Sequence, residues 1–203
     1  MRHIRPEDVA RLAALTSDHS GIEYNIEGNP FARKHGEYPG FVELVMAHKP
    51  HQVTLVPDSD EQLTSDHGFD LTVSAKKLEP LIQKFKDAGI RVALFMDPEL
   101  EQIKRVKAIG ADRIELYTGP YAHSHENNSS DFPALHNKFE QAALYAQDLG
   151  LGVNAGHDLN LKNLQSFTKI PGILEVSIGH AFTVDSILMG IENAVKAYLN
   201  AVE

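Results

Sequence analysis

Carboxylates and histidines stand where short β-type runs of this chain end, and such positions suit a site that moves protons. Glu27 closes the run Asn25-Ile26-Glu27. A carboxylate there is either a general base or a member of an interior charge network. Glu115 lies inside the run Arg113–Tyr117, on the same side by phase. In Asn154-Ala155-Gly156-His157, small residues bring the backbone close to whatever sits above the strand end. His157 is then either an acid–base group or a structural hydrogen-bonder. Asp158 follows it directly. In Ser177-Ile178-Gly179-His180, a glycine-containing loop leads into a helix, so free backbone N–H groups there could receive an anion. A long connection after Val56-Pro57-Asp58 carries Thr64, Ser65 and His67, which could donate to a phosphate. His123 and His125, two apart in a polar tract over 123–131, read as a lid tip rather than a metal pair.

The elements that must hold these groups alternate. Candidate strands are 22–26, 52–56, 91–96, 113–117, 151–155 and 174–178. Each is short, rich in Val, Ile or Leu, and bounded by turn residues. Candidate helices are 6–17, 39–48, 74–88, 98–108, 133–148, 161–168 and 183–200. Ser74 is the expected N-cap of the third, and Asp97 with Pro98 opens the fourth. Strand–helix alternation implies parallel strands with crossover helices, in a doubly wound sheet or a (β/α)8 barrel. The strands favour the barrel. Ile114 and Leu116 alternate with Arg113, Glu115 and Tyr117, and Leu174, Val176 and Ile178 with Glu175, Ser177 and Gly179. One apolar face and one polar face suits a closed polar interior, whereas a central strand of a doubly wound sheet is apolar throughout. Glu23, Arg91, Arg113 and Glu175 fall near strand starts in the inward phase, which predicts an ion-paired layer at the bottom of the barrel.

Composition narrows the class. The chain has 203 residues, 42% hydrophobic and 23% charged, as expected for one globular domain. The net charge of −9 argues against a nucleic-acid or anionic-membrane partner. With no Cys, disulfides, thiolate zinc sites and cysteine nucleophiles are excluded. No apolar run approaches the ~18 residues of a membrane span, and residues 1–6 hold no apolar secretory segment, so a cytoplasmic protein is expected.

These motifs together resemble the pyridoxine 5′-phosphate synthase family of vitamin B6 biosynthesis. The anchors are Arg2-His3-Ile4, Asn25-Ile26-Glu27, Gln52 to Pro57 with Leu63-Thr64, Gly110-Ala111-Asp112 through Ile114-Glu115 to Thr118-Gly119 with Tyr121-Ala122, Val153 to His157, and Ile178-Gly179-His180. The resemblance implies a TIM barrel of the (β/α)8 type assembled as a homo-octamer. It implies condensation of 1-deoxy-D-xylulose 5-phosphate with 3-amino-2-oxopropyl phosphate, releasing phosphate and water, with no metal and no organic cofactor. By position, Glu27 matches the family's general base, His157 its proton donor, and Glu115 a carboxylate that stabilises the transition state. Thr64, Gly179 and His180 match substrate and phosphate contacts, and His3 a ketose-binding histidine. Asp158 stands where many members have Gly, and is carried as a substrate-side residue. The resemblance also implies a single domain over 1–203 holding only strands 3–8, without the first about 45–50 residues and two βα units of the barrel. A chain so shortened is expected to be impaired or inactive. The alternatives are another phosphate-binding barrel enzyme, an epimerase or aldolase, or a truncated subunit without catalysis.

Overall fold

The computed structural model describes residues 4–58, 62 and 64–203. Helix α1 (Pro6–Ser17) precedes six strands: β1 (Asn25–Gly28), β2 (Gln52–Leu55), β3 (Arg91–Met96), β4 (Arg113–Tyr117), β5 (Gly152–Gly156) and β6 (Ile173–Ser177). Between and after them run α2 (Phe41–His48), α3 (Leu71–Asp87), α4 (Leu100–Ala108), α5 (Gly119–Glu126), α6 (Phe132–Asp148), α7 (Leu164–Phe167), α8 (His180–Met189) and α9 (Ile191–Val202). The strands form one parallel sheet in chain order, β1 to β6, so the strand–helix alternation gives the expected neighbour-to-neighbour crossovers.

The sheet curls. Gln52 of β2 donates to Glu175 of β6 across 3.1 Å. In a flat sheet, strands four places apart would be separated by about 19 Å. Their side chains meet because the polar face is concave, and the result is a half-barrel. The convex face carries Val53, Leu55, Val92, Leu94, Met96, Ile114, Leu116, Val153 and Ala155, all fully buried under the helices. From α3, Leu78, Ile82 and Phe85 close over it at helical spacing. Each such side chain contributes about 1.5–3 kcal/mol of burial.

The expected charged layer is present. Arg91 pairs with Glu23 and lies 3.4 Å from Glu175, and Arg113 reaches Glu175 at 2.5 Å. Gln52 and Asn154 also donate to Glu175, so its two oxygens are shared among four donors from four strands. The Arg91 guanidinium holds the Glu23 carboxyl below the usual carboxylate range. Because Glu23 and Glu175 are partly exposed, each ion pair contributes only about 0–1 kcal/mol; the layer chiefly fixes strand register.

Several boundaries differ from the sequence reading. The first strand starts at Asn25 rather than 22, and Glu23 precedes it. Helix α3 begins at Leu71, three residues early, because the Asp70 side chain accepts from the Thr72 N–H and Ser74 instead bonds back to the Asp70 carbonyl. Helix α4 starts at Leu100 with Glu99 as its N-cap, so neither Asp97 nor Pro98 opens it. The tract expected to be a lid tip folds as the end of α5 and the turn that leads into α6. The single helix expected over 183–200 is two, because Gly190 adopts φ 86° between α8 and α9. Among the described residues, no helix is long and apolar enough to cross a membrane.

Candidate active site

The concave face collects the carboxylates. Inward residues lie in register rows: Glu27 is opposite Thr54, Glu115 is opposite Asn154, and Tyr117 is opposite Gly156, which pairs with Ser177. The Glu115 carboxylate, 2% exposed, accepts from the hydroxyls of Thr54, at 3.4 Å, and Ser177. Its oxygen lies over Gly156, where a Cβ would come within 2.1 Å of it. Thr54 thus links the Glu27 row to Glu115, and Glu115 reaches the residue before His157. Glu27 and His157 therefore belong to one surface.

Burial raises Glu115 well above the normal glutamate range, with the Glu27 charge adding to it. The Glu27 side chain stands exposed at the rim of this face. Loss of hydration first, and then the Asp58 charge, push its carboxyl to about 7. Asp58 is held in place by Ser65, whose hydroxyl donates to Oδ2 at 2.8 Å, while Oδ1 is buried with no hydrogen-bond partner among the described residues. Two carboxyls with different surroundings share this face. The more accessible one gives up its proton more readily than the enclosed one.

His157 sits at the rim beyond β5. Its Nε2 lies 3.0 Å from the Thr64 hydroxyl, its Nδ1 lies 3.3 Å from the Asp158 carboxylate, and the Tyr117 ring meets it edge-on at 5.3 Å. Burial, followed by the Asp158 charge, pushes the Tyr117 phenol up. The backbone here is unusual. His157 has φ 91° and Asp158 φ 59°, two successive left-handed residues that are not glycine. Such geometry costs about 1–2 kcal/mol per residue and persists only where the surroundings hold it. Thr118, fully buried, supplies part of that hold: its hydroxyl contacts the carbonyls of Gly156, at 2.8 Å, and His157.

A cavity of about 730 Å³ opens between α5, the loop after Asp158 and the start of α8. Gly179, the N-cap of α8, and His180 line it together with Asp158, His123, His125 and Lys162. The structure thus brings Glu27 and Glu115 together, joins Thr64 and Asp158 to His157, and places Gly179 and His180 on the cavity wall that Asp158 shares. Asp158 is common to both parts. His3 lies outside the described residues. Among the described residues, no group of three His, Asp or Glu side chains is placed to hold a metal ion. The roles of Thr54, Thr118 and Ser177 do not follow from the sequence. The inward phase of Thr54 on β2 and Ser177 on β6, and the place of Thr118 just beyond β4, are the available signals.

Residues 1–203 match the family model described as pyridoxal phosphate biosynthesis protein PdxJ. The chain is 52% identical over 200 residues to the pyridoxine 5′-phosphate synthase of Xanthomonas axonopodis pv. citri (strain 306), covering 98% of this chain and 77% of that one. It is 49% identical over 203 residues to the enzyme of the same name from Xylella fastidiosa (strain M23), covering 100% and 77%. Among solved structures, one described as native KDPGal matches with a TM-score of 0.58 at 14% identity, covering 96% of this chain and 76% of that one. A xylose isomerase domain protein from Planctomyces limnophilus matches at 0.52 and 13% identity, covering 89% and 71%. At such identities the structural matches speak only to the α/β fold.

Proposed function

The chain belongs to the PdxJ family of pyridoxal phosphate biosynthesis proteins, an enzyme of the synthase type, and from that premise we propose that it is a pyridoxine 5′-phosphate synthase. In this reading it condenses 1-deoxy-D-xylulose 5-phosphate with 3-amino-2-oxopropyl phosphate, closes the pyridine ring, and releases phosphate and water. Ring closure requires proton removal beside carbonyls and protonation of departing hydroxyls. The observation that carries the proposal is the pairing of unlike carboxyls, Glu27 and Glu115, on the surface that ends at His157.

Glu27, half ionised near neutrality, takes the proton beside the carbonyl. Glu115 stays protonated inside the cup and donates to the oxygen on which negative charge develops. His157 returns protons to departing hydroxyls through Nε2. Thr64 contacts substrate beside His157, and the phosphates are received by Gly179, His180 and the free N–H groups of α8, where inorganic phosphate also leaves. His3 binds the ketose substrate. Asp158 borders the same cavity. A homo-octamer and a cytoplasmic location are part of the proposal. Light scattering reads the first, and the exposed Ile187, Leu188 and Ile191 of α8 and α9 give self-association an apolar face to bury.

The test is incubation of the 203-residue chain with both substrates, with product identified by mass and phosphate release followed in parallel. Pyridoxine 5′-phosphate with stoichiometric phosphate is the expected result. Because β1 and β6 have no outer neighbour among the described residues, water enters the cup and slow turnover is expected. Absence of product after prolonged incubation at high enzyme and substrate concentrations would reject the assignment for this chain.

Gly156→Ala tests the placement of Glu115. The new methyl would stand 2.1 Å from Glu115 Oε1 and 2.9 Å from Ser177 Cβ. The carboxyl, being the end of a flexible side chain, moves aside more easily than the strand. Stability is expected to fall by about 1 kcal/mol, or roughly 2–4 °C in Tm. Turnover is expected to fall by about 10–100-fold, since displacement by an ångström is enough to misplace a catalytic group. A full rate with the carboxyl displaced would remove Glu115 from the mechanism.

A further inference from the structure

His157 is held at its carbonyl, at both ring nitrogens and by one aromatic neighbour. Thr118 holds its carbonyl, Tyr117 meets the ring edge-on, Thr64 faces Nε2 at 3.0 Å, and Asp158 Oδ1 lies 3.3 Å from Nδ1. The left-handed φ values at 157 and 158 are what turn the Asp158 side chain back alongside the ring that precedes it.

A neutral imidazole carries one N–H, on either Nδ1 or Nε2. The 3.3 Å approach of Asp158 to Nδ1 is an ion-pair contact, and the charge of an ionised carboxylate beside one ring nitrogen favours the proton on that nitrogen, so the proton belongs on Nδ1. The lone pair then belongs on Nε2, where the Thr64 hydroxyl can donate to it. The two contacts are compatible with the same tautomer, and the carboxylate disfavours the other one. We propose that Asp158 is a positioning residue that fixes His157 in the Nδ1–H form and so makes Nε2 the nitrogen that exchanges protons in the cup. Asp158 then acts through His157 rather than by binding substrate. The kinetic part of this proposal rests on the synthase reading; the tautomer itself does not.

The test uses the full 203-residue chain with ¹⁵N-labelled histidine, observed at a pH where His157 is neutral, its signals among the 11 histidines assigned with His157→Gln. The variants are Asp158→Gly and Asp158→Asn. Both residue types accept the left-handed backbone at φ 59°, so neither introduces strain that an alanine would. The parent is expected to show mainly the Nδ1–H form. In Asp158→Gly the ratio of Nδ1–H to Nε2–H is expected to fall by about threefold or more. Asp158→Asn, which keeps the shape but loses the charge of this ion-pair contact, is expected to fall between the parent and the glycine variant. In the synthase assay, Asp158→Gly is expected to lower kcat by about tenfold with KM for both substrates nearly unchanged. An unaltered tautomer ratio in Asp158→Gly overturns the proposal, as does a raised KM at unchanged kcat, which would make Asp158 a substrate contact. If the parent makes no product, the synthase reading fails while the tautomer ratio still decides the role of Asp158.

Discussion

Glu27→Gln is expected to lower turnover by about 10²–10⁴-fold while making the folded chain more stable at pH 8. The two effects share one cause. Partial loss of hydration and the neighbouring Asp58 charge raise the Glu27 carboxyl from 4.5 to about 7, so it is a competent base near neutrality and an anion beside a second carboxylate above it. Between those two values the folded chain holds a proton that the unfolded chain has released. Stability therefore declines as pH rises through this window, and the penalty is complete above about 7. A glutamine at this position carries no charge and escapes the penalty. Thermal unfolding is expected to show a Tm gap between variant and parent that widens in the variant's favour from pH 4 to pH 8. The parent's rate is expected to rise with pH towards about 7, a limb that the amide of the variant cannot supply. Undiminished turnover would remove Glu27 from the mechanism, and a Tm difference independent of pH would contradict the raised carboxyl.

The parts of this architecture that are legible in the sequence are those set by period-2 phase. Arg91, Arg113 and Glu175 lie inward because their apolar neighbours lie outward, and the same reasoning places Glu115 and Glu27 on one face. Phase does not say which inward polar groups touch. Asp58 raises Glu27 from 31 positions away, and Glu115 leans over Gly156 from 41, contacts set by the register of neighbouring strands rather than by any local pattern. Helix α5 escapes a sequence reading because Gly-Pro-Tyr-Ala-His-Ser-His-Glu has the composition of a loop and little apolar periodicity; the fully buried Tyr121 holds it down by packing against Phe139 and Phe167. The break at Gly190 escapes it for the opposite reason: apolar residues continue on both sides, and one glycine inside a helical pattern is often tolerated. The orientation of Asp158 depends on two left-handed residues, which no side-chain pattern announces.

His157→Asn is expected to abolish most of the synthase activity as well, by about 10²–10⁴-fold, without unfolding the chain. Asparagine accepts the left-handed backbone that His157 adopts at φ 91°, so the strand end and the Thr118 hydrogen bonds to the carbonyls can persist. The structural losses are the edge-on contact with Tyr117, worth about 0.5–1.5 kcal/mol, and the ring's contacts with Thr64 and Asp158. The chemical loss is greater, because an amide neither gives nor takes a proton at neutral pH. A reaction that needs a base to join its substrates and an acid to expel hydroxyls as water should then stop at different points in the two variants. With Glu27 intact, His157→Asn is expected to consume both substrates to an adduct that still holds the water it cannot expel. Glu27→Gln is expected to leave both substrates largely unjoined. Rapid quenching with mass analysis in a single turnover separates these outcomes. An adduct heavier than product in the first variant and none in the second places the carboxyl before the imidazole in the sequence of proton transfers. A raised KM with unchanged kcat in His157→Asn would instead make the imidazole a binding group, and the order of steps would have to be rebuilt around Glu115, the enclosed proton donor on this face.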